Sequence, residues 1–568
     1  MKKRRPELNT VSQVVCANTG MSAAQLLHDT RNYVIKGLDT AAQMIKEAIQ
    51  EHRTIVVPGD YDVDGIMASG IIYITLCSLR AHCIVRLPRR FSEGYGLKEK
   101  MVAEFEPGQL MITVDNGIAS LEAIKLAKKK GMTVIVTDHH LPVMDEETGL
   151  PVFPEADLII NPNAIPGTAD FNGYCGAGLA YKLALELLGT NHPLIPKLKS
   201  LAAIATIADS VPLVDENRRI VKEGLAAMVT KDGTTMGLYA LLYLLYLNKC
   251  VTANHVGFKI APAINAPGRL RDDGSMDAFR LMVFDGTFQE AKAMAELLLE
   301  DNELRRELSE EWTKKAITAI EQNGQQHDIP IVTYLPGVPE GIIGIIAGRL
   351  AEHFQSPCFV LGDTANFEVI KGSSRSYGGV HLKKLLDQNQ QFLLTYGGHA
   401  PAAGLSLKKE KLVGFRQALI DTLYGCVLQQ DVEEYYDLQV PPEEINELMK
   451  ELDQYAPYGE GNPSPVIMLN DLKLKPVDSQ YYQTISADRG IKLTAAELEA
   501  VSFDGAEVYK TLNNPKRVTL IGTLSRNYFN GKSKIQMEYQ KVIPIETLLK
   551  KSPLALALER RAHGRYAK

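Results

Sequence analysis

The stretch VVPGDYDVDG, residues 56–65, sets three aspartates, Asp60, Asp62 and Asp64, at alternate positions after an apolar run. Like charges this close repel one another, so either a cation offsets them or water bathes them. Two further apolar runs end in the same way. LMITV (110–114) runs straight into Asp115, and TVIV (133–136) gives Thr137 and then Asp138, His139 and His140. Asp209 closes the otherwise apolar LAAIATIADS (201–210). Carboxylates and imidazoles without cysteine make an oxygen-rich ligand set, which suits Mn²⁺ or Mg²⁺ better than a structural zinc. One ion would leave much of this charge uncompensated. Two ions about 3.5–4 Å apart fit the count better, and such a pair serves phosphoester hydrolysis.

The elements that must bring these groups together are legible as a repeated grammar. TIVV (54–57), LMITV, TVIV and LII (158–160) are short apolar runs, with amphipathic stretches such as SLEAIKLAKKKG between several of them. Continuous apolar strands alternating with helices predict a parallel α/β sheet. In an open parallel sheet the carboxyl ends of the strands line one crevice, so acids distant in sequence are expected to converge there. Residues 174–245 read as mostly helical. Residues 287–322 have helical spacing, no proline and many charges, which predicts one helix of about 50 Å bridging two domains. A second α/β pattern starts at IPIVTYLPG (329–337). From about residue 464, strand-like segments alternate with turns, including a hairpin at Asn530–Gly531, and read as a small β-barrel. The expected divisions are 1–245, a connecting region 246–325, 326–430, 431–545 and a basic tail 546–568.

The chain has 568 residues, 45% of them apolar, and a formal net charge of −6, so any polyanion must be met by local basic patches rather than overall charge. The seven cysteines are scattered and never form CxxC, which predicts reduced thiols. MKKRRPELNT is basic but has no apolar segment after it, and no apolar run approaches the ~20 residues of a membrane span. No membrane association and a cytoplasmic location are expected.

DYDVDG, VDNG, TDHH and ATIADSVPL resemble motifs I to IV of the DHH phosphoesterase superfamily. RFSEGYGL (90–97), NAPGRL (265–270), GSSRS (372–376) and YGGHAPAAGL (396–405) are similar to segments of its RecJ group, 5′→3′ exonucleases specific for single-stranded DNA. The resemblance runs from about residue 40 to 545. It implies a DHH catalytic domain, a long helix, a DHHA1 domain and an OB-fold. By motif match it implies metal-binding roles for Asp62, Asp64, Asp115, His139 and Asp209, with Asp60 as a further member. His140 becomes either a ligand or a phosphate contact, and Asp138 a partner that orients a ligating imidazole. Arg90, Arg269 and Arg375 fall in segments that line a DNA path, and Gly398 and His399 in one that grips phosphate. Two positions depart from the family pattern: Pro58 and Pro339 stand where histidines are common.

The implied activity is two-metal hydrolysis of single-stranded DNA from a 5′-phosphorylated end, in repair and recombination, with a single-strand-binding protein or a helicase as possible partners. Tyr481, Tyr482, Tyr528 and Phe529 are candidates for base stacking or for barrel core. Lys516, Arg517, Arg526, Lys532 and Lys534 are candidates for phosphate contacts. Two rivals share the fold: a phosphodiesterase for oligonucleotides or cyclic dinucleotides, and a non-catalytic replication scaffold.

Overall fold

The computed structural model describes residues 2–94, 96–145, 147–428, 435–477, 480–485, 489–503, 505–512, 514–529 and 532–545. The turn at Asn530–Gly531 and the tail 546–568 lie outside the described residues, as do the side chains of Phe529 and Lys532. Five strands form the first sheet: β1 (Ile55–Pro58), β2 (Cys83–Arg86), β3 (Leu110–Val114), β4 (Thr133–Thr137) and β5 (Leu158–Ile160). They are all parallel, in the order β2-β1-β3-β4-β5. β1, β3 and most of β4 are buried on both faces, which is why they read as unbroken apolar runs. The chain reverses direction across the sheet between β1 and β3, and there a crevice opens at the carboxyl ends.

Helix α1 (Val63–Ser78) follows β1 and is buried around nearly its whole circumference, against α2 (Gly176–Leu188) and α3 (Ile195–Ala208). The region 246–285, expected as a connector, instead joins this first core through Val256, Ile264, Phe279 and Leu281. The bridging helix α4 (Phe288–Gln322) begins at a capping box on Thr287, matching the sequence expectation. Its first half contributes Ala291, Ala295 and Leu298 to the first core, and its second half gives Ala316 and Ile320 to another.

That second core belongs to a mixed sheet in the order β9-β10-β8-β7-β6. Its strands are β6 (Ile331–Tyr334), β7 (Cys358–Asp363), β8 (Val369–Arg375), β9 (Leu393–Gly398) and β10 (Ala402–Lys408), with α5 (Ile343–Phe354) between β6 and β7. Only β6 and β7 run parallel.

The third unit is a seven-stranded sheet in the order β11-β12-β16-β17-β15-β14-β13. These are β11 (Leu438–Val440), β12 (Val466–Lys473), β13 (Gln483–Ile485), β14 (Gly490–Thr494), β15 (Leu498–Ser502), β16 (Arg517–Phe529) and β17 (Lys532–Pro544). Lys475 N–H donates to Thr494 C=O at 2.7 Å, so the end of β12 meets β14 and the sheet curls into a barrel. Val11, Val14, Val15, Met21 and Leu26 lie in this barrel's core, although the sequence reading assigned them to the first domain. Arg218 ties the units: its buried guanidinium donates to the carbonyls of Leu26, Ala456 and Pro457 at 3.0–3.2 Å.

The described cysteines are all free thiols. Among the described residues no helix is long and apolar enough to cross a membrane.

Candidate metal centre

The β3/β4 register sets the level of the site. Asp115 N–H donates to Thr137 C=O and Asp138 N–H to Ile160 C=O, both at 3.1 Å, so the residues that end neighbouring strands stand side by side. Asp62 caps α1, its Oδ1 accepting from Gly65 N–H at 3.1 Å, and Asp60 Oδ1 accepts from Tyr61 N–H at 2.7 Å. Asp64, in the first turn of the helix, is buried. Its two oxygens accept from Gly176 and Ala177 N–H at 2.6 and 2.7 Å, at the first turn of α2. A carboxylate there uses donors that have no partner inside the helix, together with the positive end of its dipole. Gly176 is required by proximity, because a Cβ on it would stand 2.5 Å from Asp115 Cβ. Sequence reasoning missed this buttress, and its only signal was the small-residue run CGAG.

Three of the predicted acids meet at the imidazole of a fourth predicted residue, His139. His139 Nε2 lies 3.1 Å from Asp115 Oδ1, 3.7 Å from Asp64 Oδ2 and 3.7 Å from Asp209 Oδ2. Asp115 Oδ1 and His139 Nε2 are buried without a hydrogen-bond partner among the described residues, although they face each other. Asp64, His139 and Asp209 each present a ligand atom within 4.8 Å of the others, and so do Asp115, His139 and His140. Unsatisfied buried acceptors of this kind, oxygen-rich and sharing one imidazole, fit a divalent cation. Asp60 and Asp62 join neither group directly, but they add to its field.

Burial, then the neighbouring carboxylates, lift Asp115 well above the usual carboxylate range, Asp209 to about 8 and, chiefly with Asp62, Asp60 to about 7. Burial holds His139 below its ordinary value. At His140 burial opposes the charged form, yet the hydrogen bond from Nδ1 to Asp138 and the surrounding acids carry it to about 9. That bond is 2.8 Å long. Asp138 also accepts from the backbone N–H of Ile118, His139 and His140. It therefore orients the His140 ring and only the backbone of His139. Asn161 and Asn163 donate to the carbonyls of His140 and His139 and pin the same loop, a role the sequence reading did not assign.

The predicted arginines gather around Arg269, which feels both Arg90 and Arg375. Arg90 stacks on Tyr61 at 4.5 Å, and Arg269 Nη1 donates to Gly341 C=O across the two α/β domains. Arg375 donates to Ser373 Oγ and Ser374 C=O. Burial, then Arg90, with Arg305 and Arg375 adding to it, presses Arg269 down to about 10. Gly398, with φ +138°, and the exposed His399 form the β9–β10 turn, closed by His399 N–H donating to Ala402 C=O at 2.8 Å. No described contact joins His399 to the acidic group.

In the barrel, Tyr481 and Tyr482 pack against the core, with the Tyr482 and Tyr509 rings 5.3 Å apart, so they are not free platforms for stacking. Arg517, Arg526 and Lys534 are paired with Asp471, Asp453 and Glu499, so much of the expected basic surface is neutralised within the domain.

Three family models match in order: the DHH family N-terminal domain over residues 54–206, the DHHA1 domain over 330–425 and the RecJ OB domain over 436–541. The single-stranded-DNA-specific exonuclease RecJ of Thermus thermophilus is 33% identical over 505 residues, covering 88% of this chain and 69% of the relative. The exonuclease of the same name from Bacillus subtilis is 34% identical over 89% of this chain, and the match spans 63% of that relative's length. The Escherichia coli relative, also RecJ, is 29% identical over 95% of this chain and 96% of its own. The crystal structure of Thermus thermophilus RecJ in complex with Mn²⁺ superposes with a TM-score of 0.76 at 27% identity, covering 94% of this chain and 75% of that one. With three domain models matched in order and a RecJ relative 33% identical over more than two thirds of its length, the chain belongs to the RecJ family.

Proposed function

We propose that this chain is a metal-dependent exonuclease that hydrolyses single-stranded DNA from the 5′ end. The observation that carries it is the meeting of Asp64, Asp115 and Asp209 at His139, with buried ligand atoms left unsatisfied.

Two Mn²⁺ or Mg²⁺ ions are the proposed cofactors, held by Asp64, Asp115, His139 and Asp209, with Asp62 and Asp60 offering further oxygens from the same turn. Once bound, such ions polarise a phosphodiester and acidify water. The chain's own residues do the rest. The α2 N-terminus fixes Asp64 so that it cannot swing away. Asp138 holds His140 by Nδ1, which frees the other ring nitrogen to donate to a phosphate oxygen. Arg90, Arg269 and Arg375 offer guanidinium forks to the terminal 5′-phosphate and so set polarity. On this reading the strand runs between the two α/β domains, where Arg269 meets Gly341. Single-stranded DNA is the substrate, with a single-strand-binding protein or a helicase as the partner that exposes it, in the cytoplasm.

Purified chain should degrade a long 5′-labelled single strand in Mn²⁺, and do so faster than it cleaves a dinucleotide. Asp115→Asn and Asp209→Asn should each abolish cleavage while the protein stays folded. A folded Asp115→Asn chain that still cuts would remove the assignment.

A further inference from the structure

The helix Asp215–Ala227 opens against both loops behind the acidic crevice. Its third residue, Asn217, is wholly buried. A side-chain amide has two N–H donors. This one places both on backbone carbonyls of separate loops, Gly173 C=O at 2.6 Å and Pro212 C=O at 3.1 Å. The amide oxygen is buried without a partner among the described residues, so the side chain acts through its donors. Each carbonyl lies three residues from a group of the centre. Gly173 precedes Gly176, whose N–H, with that of Ala177, holds Asp64. Pro212 follows Asp209. Asp64 and Asp209 each stand 3.7 Å from His139 Nε2, so one amide spans the two loops that set their separation. The second loop needs such an anchor. Ser210 has φ +56°, a conformation that is costly with a Cβ and persists only where the surroundings enforce it. The first loop is tied once more by the same helix, since the Tyr174 hydroxyl donates to Glu216, which also accepts from Lys182. Neither Asn217 bond goes to an acid of the centre, so its influence on an ion passes through the loops.

We propose that Asn217 is a positioning residue of the metal centre: by holding the Gly173 and Pro212 carbonyls together, it fixes the spacing of the Asp64 and Asp209 carboxylates and so the affinity for divalent ions. The inference rests on the metal-dependent nuclease reading and deepens it. Groups behind the ligands matter to a metal site because they place the ligand oxygens before the ion arrives. Leucine has nearly the shape of asparagine but no donor. Asn217→Leu therefore keeps the space filled while releasing both carbonyls.

The test is calorimetric titration of Mn²⁺ into the full chain and into its Asn217→Leu, Asn217→Ser and Arg218→Met variants, with a melting curve for each. Asn217→Leu should weaken Mn²⁺ binding about tenfold. Asn217→Ser keeps one donor and should shift the affinity in the same direction by less. Arg218, the next residue, serves carbonyls at Leu26, Ala456 and Pro457 instead. Arg218→Met should therefore melt earlier yet bind Mn²⁺ as the wild-type chain does. Degradation of an oligothymidylate gives a second readout. At limiting Mn²⁺, Asn217→Leu should lose kcat with KM for the strand unchanged, and excess Mn²⁺ should restore most of the loss. A merely structural role predicts earlier melting in the Asn217 and Arg218 variants alike, with Mn²⁺ affinity intact throughout. That result overturns the positioning role while the nuclease reading stands. If Asn217→Leu fails to fold, Asn217→Ser carries the test, and unchanged affinity in it overturns the proposal. If the wild-type chain itself binds no Mn²⁺, both readings are overturned.

Discussion

At the scale of single residues, the acidic crevice is in tension without its cation. Burial, with the neighbouring charges, raises Asp60 to about 7 and Asp209 to about 8, and the Asp138 bond carries His140 to about 9 against its burial, so for all three the folded state favours the protonated form. A raised folded pKa contributes stability below the unfolded value, and that contribution is lost as pH rises through the folded one. Metal-free protein should therefore lose thermal stability between about pH 4, where the two aspartates titrate when unfolded, and about pH 9. Added Mn²⁺ must displace those protons, so its stabilising shift should grow over the same interval. Melting curves in EDTA and in Mn²⁺ check both signs. Asp138→Asn tests the neighbouring layer: loss of the His140 partner should reduce activity about 10–100-fold, and the alkaline limb of the pH–rate profile should move toward lower pH. The acids themselves were readable because each stands where an apolar run stops, at a strand end or, for Asp209, at a helix end. Asp138 was read as a partner of a ligating imidazole, but which imidazole depends on ring orientation, which spacing does not encode.

At the scale of elements, the site is a strand-end turn clamped by the start of a helix more than a hundred residues later. Gly176→Ala brings a methyl group against Asp115 and disturbs the two N–H groups that hold Asp64. It should weaken Mn²⁺ affinity measured by calorimetry and cost about 1–3 kcal/mol of stability from overpacking. Strands β1, β3 and β4 and helix α4 were legible because period and length are local properties. The α2 buttress was not, since CGAG reads as an ordinary small-residue turn until Asp115 is placed beside it. Pairing in the barrel was equally hidden: Arg526 and Asp453 lie on different elements, and only the fold turns that basic candidate into half of an ion pair.

At the scale of the molecule, a few joints hold the units together. Arg218 satisfies three carbonyls drawn from two distant segments, and each one stranded without a donor costs roughly 1–3 kcal/mol. Arg218→Met should therefore separate barrel unfolding from that of the first domain in a denaturant titration, while Mn²⁺ affinity stays unchanged. The helical character of residues 246–285 was within reach of the sequence. Their membership of the first core was not, because it depends on which surface they meet.

The apolar helix around Val11, Val14 and Val15 finds its berth in a core it shares with Ile445, Leu448, Leu469, Leu520 and Met537. During synthesis at ~5–20 residues per second, that greasy segment waits roughly half a minute to nearly two minutes for its counterpart. Throughout that interval it is a ready client for chaperones, and the barrel made about five hundred residues later is what lets this segment hide.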